Sequence, residues 1–264
     1  MLSIYRALFV AQFQSAAQYR VQSVLWLLFA IIRPVVFLAA WSAAAATQGG
    51  SIGGYDLGDF AAYFVALTLV TQLSMSWNAY DFEYEVRQGK LAPKLLRPLH
   101  PLHYAVVENI VWKVVTLPAL VPALALIAWT FHARAEPHWW HLVLFVPSVL
   151  LAAVLRFFSG WVLACLAFWT TRIHSIMHFY DRLSFLFGGQ IAPLSLLPGP
   201  LQVVSYLLPF GYMLGVPAEI LRGGTTLDQS LALLLGQAVW LAVAWVGFAL
   251  IWRAGLRQFS AVGA

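Results

Sequence analysis

The sequence predicts an all-α integral membrane protein with six transmembrane helices and both termini cytoplasmic. An N-terminal amphipathic interfacial helix and re-entrant external helices before the last span complete the plan. Three observations carry this. Hydrophobic residues make up 62% of the chain and charged residues only 9%, against roughly 25% charged in soluble domains, and the mean hydropathy is +0.80. Six apolar runs of spanning length follow one another, and the 264 residues leave no room for a soluble catalytic domain beside them. Lysine and arginine segregate to alternate loops.

In chain order, residues 1–20 carry Tyr5, Leu8, Phe9 and Phe13 at helical spacing, which fits a helix lying along the membrane. Arg6 and Arg20 flank only a modest apolar patch, so no cleaved leader is expected. The first span is about Val21–Ala46, with Arg33–Pro34 near its middle, and the acidic, Gly-rich Thr47–Asp59 should be external. The second span, about Phe60–Tyr80, has a polar stripe of Thr68, Thr71, Gln72, Ser74 and Ser76. The third is about Ala105–Phe131, where Glu108 and Lys113 are placed for a loose pair; Trp139–Trp140 then anchor the long fourth, His138–Thr171. After a basic loop, Arg172–Arg182, the fifth run (about Leu183–Gly215) is interrupted by Gly188–Gly189 and Pro193, Pro198, Pro200 and Pro209. It reads as a span to about Ile191 and a re-entrant or interfacial region over 192–215, since broken backbone at membrane depth needs protein or a cavity around it. Glu219–Gln229 is the last external loop and Ser230–Trp252 the sixth span. With both ends inside, ten cations face the cytoplasm and two, Arg134 and Arg222, the exterior.

The most polar stretch is the elbow at 81–104, DFEYEVRQGKLAPKLLRPLHPLHY. Gly89 permits positive φ after a short acidic helix, and Pro93, Pro98 and Pro101 keep the remainder of the stretch from forming one regular helix. Leu91, Leu95, Leu96 and Leu102 are free to press on membrane or partner. A solvated positive loop that only sets topology would have the same composition. Among the intramembrane polar groups, Arg33, Thr71, Gln72 and Arg156 are candidates for a translocation pathway taking an anionic or amphiphilic substrate; structural pairing or helix–helix hydrogen bonding is the alternative for each. His138/His141 and His174/His178 have zinc-like spacing but lack a supporting carboxylate, so no metal site is expected. The dispersed cations do not form a nucleic-acid face, and no phosphate-binding G-x-x-x-x-G-K-[ST] loop occurs.

RQGKLAPKLLRPLHPLHY resembles the segment after the second span of ABC-2-type permeases, the membrane subunits of one class of ABC exporters. GGQIAPLSLLPGPLQVVSYLLPFGYMLGVPAEILRG is similar to that family's proline-broken fifth span and external helices, and GLRQFSAVGA to its short tail. The resemblance implies one permease domain over 1–264, half of an exporter in a bacterial cytoplasmic membrane. A second permease, the same or a homologous chain, and two copies of an ATP-binding subunit would complete it. ATP and Mg would then sit on the ATPase, leaving this chain without cofactor or catalysis of its own. By position, Glu83, Glu85, Arg87, Gly89, Lys90 and Leu91 are the residues that the resemblance assigns to coupling. Two other classes remain open. An ion-gradient transporter calls for intramembrane acids and internal repeats, and a lipid-modifying membrane enzyme calls for a convergent acid–base set.

Overall fold

The computed structural model describes residues 2–18, 20–170 and 173–259. The chain is helical throughout them, apart from one isolated bridge, Ile52–Tyr55, and short connecting turns. In order come α1 (Leu2–Gln18), α2 (Arg20–Thr47), α3 (Leu57–Ser74), α4 (Asn78–Arg87), α5 (Leu91–Leu95), α6 (Pro101–Thr130), α7 (Trp139–Cys165), α8 (His174–Phe187), α9 (Gly199–Leu207), α10 (Pro209–Met213), α11 (Gly215–Arg222) and α12 (Leu227–Gln258).

Five stretches among the described residues are long and apolar enough to cross a membrane: Leu28–Thr47, Leu57–Arg87, Pro101–Thr130, Trp139–Phe168 and Leu227–Gln258. Strongly apolar faces remain on the outside, as expected where lipid is the solvent. The protein is a multi-pass membrane protein.

α3 is the axis of the packing, with Phe60, Ala61, Tyr63, Phe64 and Val70 all fully buried. α2 runs antiparallel to it, pairing Trp41 with Phe60 and Phe37 with Phe64. α6 is antiparallel on another side, with Gln72 donating to Thr116 Oγ1 at 2.6 Å. α7 and α12 run side by side in the same direction. His141 meets Thr225 at one end, while Phe168 meets Trp252 and Phe259 at the other. The chain therefore returns from one end to the other between residues 173 and 222. The end holding α4 and α5 is termed the elbow end.

Asp56 caps α3: its Oδ1 accepts the Asp59 N–H at 2.9 Å, and Asp59 Oδ2 accepts the Asp56 N–H at 3.1 Å. The Asp59 N–H, with help from Arg134, holds the Asp56 carboxyl below its ordinary range. Its contribution is thus complete at neutral pH and fades as pH falls through the lowered value. Asp56→Ala is expected to destabilise the fold by about 1 kcal/mol, read as a lower unfolding temperature in detergent.

Several boundaries differ from expectation. α8 begins at His174, so most of the predicted basic loop is helix; no Gly or Pro interrupts it before Gly188, and it buries Met177 and Ser184, with Ile173 buried just before it. Pro101 sits at the first position of α6 with His100 as its cap, so 101–104 belong to the third long helix rather than the elbow. The predicted Glu219–Gln229 loop starts later, because Glu219–Arg222 close α11. On α1 the side turned inward is Tyr5, Leu8, Phe9 and Gln12, held to α6 by Tyr5 and His103; Phe13 is exposed. Arg172 and the tail from Ser260 onward lie outside the described residues.

The broken region has its backbone groups satisfied by protein. Gly189 takes φ +80° and offers its carbonyl to Tyr63 Oη at 2.8 Å, where a Cβ would collide with that hydroxyl. Trp41 Nε1 donates to the Ile191 carbonyl at 2.7 Å, and Gln237 Nε2 to the Tyr212 carbonyl at 2.9 Å. Neighbouring helices thus supply partners to the interrupted backbone.

Candidate functional site

The elbow is built from α4, a turn and α5. α4 is amphipathic: Ala79, Phe82 and Glu83 face inward, while Asp81, Tyr84, Arg87 and Gln88 face out. Phe82 fills an aromatic box with Trp161, Phe168 and Trp252, at ring centroid distances of 5.0, 5.5 and 5.8 Å. Gly89, at φ +68°, ends α4 in a Schellman motif. Its own N–H bonds the Val86 carbonyl, and the Lys90 N–H reaches back to the Glu85 carbonyl. Gly89→Ala is expected to cost about 1 kcal/mol and loosen the elbow, seen as faster proteolysis between α4 and α5.

The six sequence candidates divide. Glu83 is buried and bound to Arg87 Nε at 3.1 Å, with His174 Nδ1 at 3.8 Å, so it ties the elbow to α8 instead of facing a partner. Leu91 is fully buried. It anchors α5, contrary to the expectation of a free apolar contact. Glu85 pairs with Lys94, and Lys90 donates to Tyr84 Oη at 3.2 Å over that ring. Outward-facing groups are Arg87, Gln88, Lys90, Arg97 and above all Leu96, a leucine 89% exposed.

Between α3 and α4 the helix is interrupted at Met75–Trp77. Lys113 Nζ donates to the Met75 carbonyl at 3.0 Å and Arg156 Nη1 to Ser74 Oγ at 3.3 Å. Two cations thus sit at the C-terminal, partially negative end of α3. Lys113 does not pair with Glu108, because five residues of helix turn the two side chains well apart. Of the pathway candidates, Gln72 bonds α6 and Arg156 bonds the Ser74 hydroxyl at the end of α3. Thr71 is half-buried, while Arg33 is exposed near the middle of α2 with its guanidinium carbon 5.5 Å from the Phe185 ring centroid. The histidines have other partners: His141 accepts the His138 N–H and contacts the Thr225 carbonyl, capping α7. No group of three or more metal-type ligands occurs among the described residues.

At the opposite end lies a network that sequence reasoning missed. Arg222 bonds Glu219 at 3.1 Å, Asp59 at 3.3 Å and Tyr55 Oη at 3.1 Å, and stacks over the Tyr55 ring. Tyr55 Oη also donates to Glu219 Oε1 at 2.8 Å and touches Ser195 Oγ at 2.9 Å. Burial pushes the Glu219 carboxyl up, against the pull of Arg222, and the Tyr55 phenol up as well. Only the Glu219–Arg222 spacing of three residues marked it in the sequence.

A search of curated proteins found no match. The sequence model described as "ABC-2 family transporter protein" matches residues 21–263, from the first long helix to the tail. A helical, multi-pass chain with a polar elbow after its second long helix, matched by that model over nearly its whole length, belongs to the ABC-2 transporter family.

Proposed function

We propose that this chain is the membrane-spanning half of an ATP-driven exporter, docking a separate ATP-binding subunit on its elbow. The observation that carries the reading is the construction of that elbow. Its inner face is locked to the core by Phe82, Glu83 and Leu91, while its outer face presents Leu96 among Lys90, Arg87 and Arg97 with no cover. A rigid, exposed lever suits transmission of a partner's movement.

In this reading both termini and the elbow are cytoplasmic, α1 lies at the membrane surface, and the chain crosses six times. The parallel course of α7 and α12 supports the sixth crossing, since the chain must return between them. α8, at 14 residues, reaches only about 21 Å. The broken 188–215 stretch supplies the remainder of a roughly 30 Å core. The functional assembly has two permeases, identical or homologous, above two ATPase copies; nucleotide and Mg belong to the latter. Closure of the ATPases moves the elbows, and the Met75–Trp77 break held by Lys113 and Arg156 sets the angle at which that motion enters α3.

Co-purification from the native host in mild detergent, with mass identification of partners, tests this. An ATP-binding polypeptide and a second permease copy or homologue are expected. A chain that purifies alone and is indifferent to nucleotide would refute it.

A further inference from the structure

Resting on that reading, we infer that Arg33 receives the anionic headgroup of a transported amphiphile, with Phe185 and the exposed apolar face of α2 receiving its hydrocarbon. Arg33 lies 13 residues from the start of α2 and 14 from its end, and five residues, about 7 Å by the helical rise, inside the start of the apolar stretch Leu28–Thr47, the depth at which the headgroup of an amphiphile enters from one leaflet. Phe37 stacks on Phe64 and Trp41 on Phe60, which puts Arg33 one turn beyond the Phe37–Phe64 pair, beside the C-terminal half of α3. The side chain is exposed, its partner among the described residues is the Phe185 ring, and beside it stand Phe29, Ile32 and Val36, exposed by 68%, 54% and 58%. A guanidinium in such apolar surroundings calls for an anion.

The protein offers little to neutralise it. Of the ten acids in the chain, five lie in or beside the segments at the far end and four in the elbow or the first turns of α6. The tenth, Asp181, stands one turn from Phe185 toward the elbow, where Tyr80 Oη donates to it at 2.7 Å. A second copy brings the same acids at the same depths. Arg182, exposed on α8 about one turn before Phe185, adds a second positive charge on that helix. A cation with an aromatic neighbour, bordered by apolar side chains and lacking a carboxylate, matches a molecule with one anionic head and a long apolar body. Arg also suits such a head better than Lys, since its planar fork can hold two oxygens of a phosphate or carboxylate.

The test uses the complete complex with its ATPase in phosphatidylcholine vesicles, to which phosphatidylglycerol is added as the probe. ATP hydrolysis by the wild type is expected to rise several-fold, and native mass spectrometry to show phosphatidylglycerol retained on the complex. Arg33→Gln should lose both while keeping the ATPase bound and its basal hydrolysis. Arg33→Lys should keep part of the response, and Asp181→Asn all of it. Equal stimulation of wild type and Arg33→Gln assigns the effect to bulk lipid and overturns the proposal. So does loss of the response in Asp181→Asn, which makes Arg33 a protein ion-pair partner, or indifference of the wild type to phosphatidylglycerol. Absence of any ATPase partner would instead refute the exporter reading itself.

Discussion

Leu96→Asp is expected to reduce recovery of the ATP-binding subunit by tenfold or more, about 1.4 kcal/mol at the least, without shifting the unfolding temperature. Leu96 is almost fully exposed, so the folded chain alone gains nothing from it. In the complex, an exposed apolar knob on the elbow is placed to be desolvated, and a carboxylate there would carry the cost of losing its water. Leu91→Ala makes the contrast. Leu91 is fully buried, and its truncation should destabilise the chain by about 2–5 kcal/mol, lowering the yield of folded permease before docking is tested. Pull-down against the ATPase, run beside thermal unfolding, separates the two. Equal loss of stability in both variants would contradict this division of the elbow into docking and anchoring faces.

The second large effect belongs to the far end. Arg222→Ala leaves Glu219 buried with only Tyr55 to hold it, and leaves Asp59 without its cation. Removing one partner of such a pair costs about 3–5 kcal/mol, or about 10 °C in the unfolding temperature. Burial raises the folded Glu219 pKa above its unfolded value. The protonated form is thus favoured by folding, and that advantage is present at low pH and lost as pH rises through the raised value. The defect of Arg222→Ala should accordingly shrink as pH is lowered through the raised value. Adding Glu219→Gln should recover much of it at neutral pH. A defect that does not respond to pH or to Glu219→Gln would mean that lost packing, not the orphaned charge, is responsible.

Hydropathy made five of the long helices legible, because each carries a long, predominantly apolar run and ends at polar or Gly-rich segments. The fifth predicted crossing was harder, since α8 mixes Asp181, Arg182 and two histidines into a helix whose inner side is Met177, Tyr180, Leu183, Ser184 and Phe187. The elbow's position could be read from charge and proline, but which of its leucines faces outward could not. Leu91 and Leu96 are both leucines in a basic run, and their opposite fates arise from how Gly89 redirects the chain after α4. Likewise, the polar stripe of the second span divides only in three dimensions: Gln72 meets Thr116, and Ser74 meets Arg156, residues distant in sequence. The Tyr55–Glu219–Arg222 network joins segments more than 160 residues apart and left almost no local trace.

As the proposed docking surface of an ATP-binding subunit, the elbow should be reachable by that partner in the membrane. The sole cysteine, Cys165, is buried, so a cysteine placed at an exposed position is labelled alone. The most direct measurement is crosslinking in native membranes from Leu96→Cys, with Gln48→Cys at the far end as its counterpart, followed by mass identification of the captured chain. Capture of an ATP-binding polypeptide is expected from position 96 and none from position 48, with an impermeant maleimide reaching only position 48 in intact cells. Capture from position 48, or labelling of position 96 from outside, would contradict the proposal.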